Sequence, residues 1–127
     1  EYNGVQIISK PTVELFTSRA FGHRALGWDT AEGDYGSGRY LGPTAYGHTG
    51  FTGTSMWIDP ERDLAVIVLT NWIHGRASGG VAPAAIVQHV RSDIVDLAAL
   101  AITDGGPERP LPWRLRTQLQ IGWDSGK

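Results

Sequence analysis

Tyr46-Gly-His-Thr-Gly-Phe-Thr-Gly-Thr-Ser-Met-Trp-Ile-Asp-Pro-Glu-Arg-Asp-Leu-Ala-Val-Ile-Val-Leu-Thr-Asn71 contains two strand-like segments, a tight turn and a third strand. Residues 44–50 and 52–58 bracket a Gly-rich bend, with Thr52, Thr54, Met56 and Ile58 alternating against Gly53, Ser55 and Trp57. That period of two is the pattern of a pleated strand. Asp59-Pro60-Glu61-Arg62-Asp63 is a strong turn, because Asp opens it and Pro occupies its second position. Leu64 to Thr70 is then a β-branched run without polar alternation. Such a run predicts a strand buried on both faces, with something covering each side of the sheet. The whole reads as an antiparallel meander.

Working outward, Ser9 ahead of Pro11 predicts a helix start, and Val13, Leu15 and Phe16 give it an apolar face up to about Thr17. Residues 25–30 read as a strand entering a loop. From Glu32 to Pro43 the glycines at 33, 36, 38 and 42 argue for irregular backbone. On the other side, residues 71–80 form a second Gly-containing loop, and Pro83 stands where a helix begins. Val87, Val90, Ile94, Leu97, Ala98 and Ala101 share one helical stripe, and the helix is expected to end near Thr103. Pro107, Pro110 and Pro112 interrupt any regular element beyond it. The expected organisation is α+β: an antiparallel meander with a C-terminal helix packed on it over residues 1–104, then a Pro- and Trp-containing tail at 105–127. The Gly-Trp-Asp triplet at 27–29 and 122–124 is too short to count as a repeat.

Composition narrows the function. The chain has 127 residues, enough for one domain, and a formal net charge of −2. Its nine Arg and two Lys are scattered, so nucleic acid is not an expected partner. With no cysteine there is no disulfide, thiolate metal site or cysteine nucleophile. The longest apolar run, Leu64 to Leu69, falls far short of the roughly 20 residues a bilayer span needs. No signal peptide is discernible at Glu1.

Chemistry concentrates in Tyr46 to Gly53, where an imidazole and a hydroxyl stand beside glycines on a bending strand. Glycine admits close approach of a ligand or another backbone, and strand-edge N–H groups can bind a developing oxyanion. The same residues also suit a twisted Gly-rich hairpin bend with a satisfied histidine.

The stretch Tyr46 to Asn71 resembles the third active-site motif and following strands of the serine β-lactamase and penicillin-binding-protein-like family. It is most similar to the branch with class C enzymes, D-amino-acid peptidases and family VIII-type carboxylesterases. The Lys-Thr-Gly element of that family appears here as His48-Thr49-Gly50. Asn3 to Phe16 resembles the segment preceding this wall, and Leu26-Gly-Trp-Asp29 the strand before the motif. The resemblance covers about residues 1–102.

It implies serine acyl hydrolysis through an acyl-enzyme on a small ester, amide or β-lactam, with no cofactor and no metal. His48 would stand where the family has Lys or His, facing the nucleophile. Thr49 would hydrogen-bond the substrate carboxylate or carbonyl, and Gly50 would leave room for substrate along the strand. The backbone N–H of Phe51 would be one of two oxyanion donors. An extracytoplasmic bacterial location is also implied.

The departures are specific. No Lys follows a Ser at the Ser-x-x-Lys spacing, since Ile7 precedes Lys10 and Asp124 precedes Lys127. No Tyr-x-Asn occurs, since Tyr2, Tyr35, Tyr40 and Tyr46 are followed two residues on by Gly4, Ser37, Gly42 and His48. A serine nucleophile needs an adjacent base, so an N-terminal segment or separate chain carrying both motifs is the expected partner. The alternative from another class is a non-catalytic binding or assembly module of the same fold. A third reading is a homo-oligomer formed by strand pairing or swapping.

Other constellations lead less far. No Gly-x-Ser-x-Gly occurs, because Ser55 is followed by Trp57 rather than Gly at the second position. His89, Asp93 and Asp96 share a helix stripe, but no further donor completes a zinc set; a solvated face is expected. Asp29, Glu32 and Asp34 lack the calcium-loop spacing. Gly33-x-x-Gly36-x-Gly38 precedes no helix, so it is not a phosphate cradle. His23 and His74 fall in loops and enter no motif. The five tryptophans suit packing, with Trp72 placed to line a site.

Overall fold

A computed structural model describes residues 2–31, 36–74 and 84–102. In chain order the elements are α1 (Lys10–Thr17), β1 (Asp29–Thr30), β2 (Tyr46–Thr49), β3 (Ser55–Asp59), β4 (Leu64–Val68) and α2 (Ala84–Ile102). The four strands form one antiparallel sheet in sequential order. This is the α+β meander with a C-terminal helix that the alternation predicted. The tail from Gly105, the Pro83 helix start, Glu32, Gly33 and Asp34 lie outside the described residues.

Local chemistry accounts for most of the boundaries. Ser9 caps α1 by accepting from the Thr12 N–H, with Pro11 in the first turn. Asp59 opens the β3–β4 turn: its carboxylate accepts from the Glu61 N–H at 3.1 Å and from Arg62, and its carbonyl accepts from the Arg62 N–H. The same buried carboxylate accepts the Gly42 N–H at 2.8 Å, tying the preceding loop to the turn. Burial alone would raise its pKa; the Gly42 amide and the Arg62 guanidinium, helped by the Glu61 amide, outweigh it and hold the carboxyl below its ordinary value.

Partner positions share a face, so the register sorts the side chains. Gly47, Trp57 and Val66 stand on one face, with Thr49, Ser55 and Val68. The other face carries Tyr46, Ile58 and Ala65, with His48, Met56 and Ile67. The core is Trp57, Val66, Val68 and Val95, so α2 covers the first face, with Ala31, Leu41, Leu64 and Ala98 packed around it.

Three expectations are corrected. The strand predicted over residues 25–30 is confined to Asp29–Thr30, because Gly27 at φ +86° turns the chain and the Ala25 N–H bonds to the Trp28 carbonyl. The strand at Leu64 is buried on one face: Val66 and Val68 are covered, while Ile67 is 61% exposed and Ala65 is also exposed. Two-sided burial needs a layer on each face, and α2 supplies one.

The third correction concerns α2. Val90, Ile94 and Leu97 of the predicted stripe are exposed, and Arg91, Ser92, Val95, Asp96 and Ala99 are buried instead. Asp96 was expected on a solvated face; it is 2% exposed and accepts the N–H groups of Arg39 and Tyr40. Gly38 makes that approach feasible, since a Cβ there would lie 2.2 Å from Asp96 Oδ1. Burial raises the Asp96 pKa, with a smaller contribution in the same direction from Asp93, against the opposing Arg39 and Tyr40 amides. Polar anchoring, not apolar count, sets the rotation of this helix.

Candidate active site

His48, Thr49 and Gly50 close β2 and enter the bend to β3. The ladder between β1 and β2 stops at the Asp29–Gly47 pair, so His48 and Thr49 are paired on the β3 side alone. Gly47 is needed for packing: a Cβ there would lie 2.2 Å from the Met56 carbonyl oxygen and 2.5 Å from the Trp57 ring.

The His48 side chain stands exposed on the uncovered face. Its Nδ1 lies 2.8 Å from the Thr49 carbonyl oxygen and its Nε2 lies 3.3 Å from Arg24 Nη1. A carbonyl accepts and a guanidinium donates, so these partners call for the proton on Nδ1 and a lone pair on Nε2. Arg24 Nη1 is also 2.8 Å from Oδ1 of the buried Asp29, a contact between charges whose angle is not that of a hydrogen bond. Sequence reasoning missed both Arg24 and Asp29 as neighbours of His48. The signal available was the place of Asp29 in the strand before the motif, which β1 brings alongside β2; Arg24 precedes that strand and reaches the site through its bridge to Asp29.

Thr49 faces the other way, as the next residue of a strand must. It lines an open cleft of about 310 Å³ with Gly50, Phe51, Trp72, Val87, Gln88 and Arg91. The imidazole of His48 and the side chain of Thr49 are therefore on opposite faces of the sheet, while Thr49, Gly50 and Phe51 border one cleft. Trp72 lines it as expected. At Gly50 a Cβ would lie 2.2 Å from Thr54 Oγ1, which gives this glycine a packing reason of its own. Phe51 is 72% exposed at the apex of the bend.

The bend itself is tightly held. The Gly50 N–H donates to the Thr54 carbonyl at 2.7 Å and the Gly53 N–H to the Gly50 carbonyl at 3.1 Å. Arg91 and Trp72 supply further donors to it. Among the described residues, no three His, Asp or Glu side chains are grouped to hold a metal ion.

The Beta-lactamase family matches residues 8–91, which take in the four strands, the bend and the first part of α2, and the chain belongs to that family. A protein of Escherichia coli O157:H7 named "Putative D-alanyl-D-alanine carboxypeptidase" is 38% identical over 80 residues. An "N-acetylmuramyl-L-alanine amidase" of Bacillus subtilis strain 168 is 35% identical over 78 residues. In both cases the match takes in 58% of this chain and 18% of the relative. The chain thus spans less than a fifth of the length of these curated relatives. No solved structure matches it.

Proposed function

We propose that this chain forms the C-terminal wall of a serine hydrolase that cleaves an ester, amide or β-lactam bond through an acyl-enzyme. The observation that supports this best is the β2–β3 unit: a His-Thr-Gly strand end, unpaired on its β1 side, running into a bend beside an open cleft. The names of the two relatives describe a carboxypeptidase and an amidase, which favours an amide among the three bonds.

In this reading the serine of a Ser-x-x-Lys motif, carried by an N-terminal segment or separate chain with its Tyr-x-Asn, gives up its proton to an adjacent base. Its oxygen bonds to the substrate carbonyl carbon, and the carbonyl oxygen becomes an oxyanion accepting from the Phe51 N–H and from the nucleophile's own N–H. The carbon–nitrogen bond then breaks as the departing nitrogen takes a proton, and water later releases the acid. Thr49 would orient the substrate carboxylate or carbonyl from the cleft. His48, with Nε2 as acceptor, would hold or pass a proton on the nucleophile's side.

The uncovered face has the apolar character that such a second layer would bury. Ile67 and Leu69 are 61% and 79% exposed there, and on the opposite side of the molecule Ile86, Val90, Ile94 and Leu97 are exposed along the outside of α2. Those residues also support the second reading, an assembly module, with a second copy of the chain as occupant.

The test is reassembly with an N-terminal polypeptide bearing Ser-x-x-Lys and Tyr-x-Asn, followed by labelling with a penicillin or fluorophosphonate probe. Labelling, with hydrolysis of an activated ester that His48→Ala slows about a hundredfold or more, is the expected outcome. A stable complex that neither labels nor hydrolyses overturns the hydrolase reading and favours the module.

A further inference from the structure

Of the five carbonyls in the bend between β2 and β3, the Thr54 carbonyl accepts the Gly50 N–H within the bend, and donors from outside hold the other four. Arg91 Nη2 donates to the Gly50 carbonyl at 2.6 Å and Arg91 Nε to the Gly53 carbonyl at 2.9 Å. The Trp72 indole Nε1–H donates to the Phe51 carbonyl at 2.7 Å, and the Trp72 backbone N–H to the Thr52 carbonyl at 2.9 Å. Arg91 is 7% exposed, and its Nη1 donates to Gln88 Oε1 at 3.2 Å. Burying a guanidinium is costly unless hydrogen bonds compensate, and here the main-chain carbonyls of the bend supply most of that compensation.

The Gly50 carbonyl and the Phe51 N–H belong to one peptide group. In a trans peptide they lie in one plane and point in opposite directions. Holding the Gly50 oxygen toward α2 therefore fixes the direction of the Phe51 N–H away from it. The bond is also charge-assisted, and a donor at the carbonyl polarises the whole amide, making its N–H a stronger donor.

Resting on the hydrolase reading above, we propose that Arg91 is the positioning residue that aims and strengthens the Phe51 N–H as an oxyanion donor, while Trp72, bonded to the carbonyl of the next peptide, restrains rotation about Phe51. Arg91 acts from the buried face of α2 through the peptide plane. It also explains why this helix buries a guanidinium where the sequence pattern offered an apolar stripe. Lys cannot reproduce the planar fork that reaches both Gly50 and Gly53.

The experiment compares wild type, Arg91→Lys and Arg91→Met in the hydrolase reassembled with its N-terminal polypeptide. Amide resonances of Gly50 to Gly53 are followed in the 127-residue chain. Arg91→Met is expected to lower kcat about tenfold or more, with KM changed less than about twofold. Arg91→Lys should recover part of the loss, and the Phe51 amide nitrogen should shift in both. If Arg91→Met fails to fold, Trp72→Phe removes the indole bond that restrains the neighbouring Phe51–Thr52 peptide and should lower kcat in the same direction by a smaller factor. Wild-type coupling across the Arg91–Gly50 and Arg91–Gly53 hydrogen bonds then tests the geometry without a substitution. Equal kcat in an active wild type and in a folded Arg91→Met, or an unmoved Phe51 resonance, overturns the positioning role alone. An inert wild-type complex overturns the hydrolase reading, and this role falls with it.

Discussion

The two faces of the sheet are built differently, although the strands are the same. On the covered face Trp57 is 0% exposed, with Val66, Val68 and Val95 around it, and α2 adds Arg91 and Asp96 as polar anchors to the flanking loops. On the other face the cross-strand row is His48, Met56 and Ile67, with His48 and Ile67 exposed. The first face is a finished core. The second has the apolar character of a core face without a layer, and it carries the imidazole of the motif. Stability and the candidate chemistry are thereby divided between opposite sides of one sheet, and the Thr49–Phe51 cleft sits at the end where they meet.

That division can be broken by substitution. The largest expected effect is Trp57→Ala, which empties the centre of the covered face; about 3–5 kcal/mol is lost, a large share of the roughly 5–15 kcal/mol of a whole domain. Denaturant unfolding of that variant should show an early or absent cooperative transition. A near-normal midpoint would mean the core lies elsewhere.

Asp59→Asn comes next, at about 3 kcal/mol, because it leaves Arg62 without its buried counter-charge. The folded-state pKa of Asp59 is depressed, so its contribution is present above the unfolded carboxyl pKa and is lost as pH falls through the folded value. Wild-type urea midpoints should fall on acidification below about pH 4, and the variant should show less of that fall.

Asp96→Asn sharpens the contrast within the same layer. Its carboxyl is shifted upward by burial and is held by the Arg39 and Tyr40 amides, with the Arg39 charge a smaller opposing influence. The stability it contributes is present below the unfolded pKa and is lost as pH rises through the folded value. The variant keeps an acceptor for both loop amides, so at pH 7 its urea midpoint should equal or exceed that of wild type. A clear loss would show that the charge itself holds the loop.

The smallest effect is expected on the uncovered face. Ile67→Thr should change the stability of the isolated chain by no more than about 0.5 kcal/mol, while weakening association with whatever layer covers that face. A cost comparable to a core substitution would show that Ile67 is already buried in solution, as in a homo-oligomer, and size-exclusion chromatography would reveal it.

The meander was legible from Met56, Ile58 and the Asp59-Pro60 turn because period and turn chemistry are local properties. The Ser9 cap was legible for the same reason. The rotation of α2 was not: apolar residues occupy both of its sides, and the buried side was selected by Arg91 and Asp96, whose partners lie 38–57 residues away. At the candidate site the His48-Thr49-Gly50 element stood out as a motif. Its neighbours Arg24 and Asp29 did not, because nothing local to residue 24 announces the bridge to Asp29 by which it reaches β2.

By itself the sequence determined the strand period, the β3–β4 turn, the Ser9 cap and the family resemblance, all of which depend on residues close in the chain. Only the tertiary structure decided which face of β4 and α2 is buried, that His48 and Thr49 are separated by the sheet, and that Arg91 and Trp72 hold the bend. Those outcomes depend on which distant main-chain groups a buried polar side chain must satisfy, and that requirement has no expression until the chain has folded.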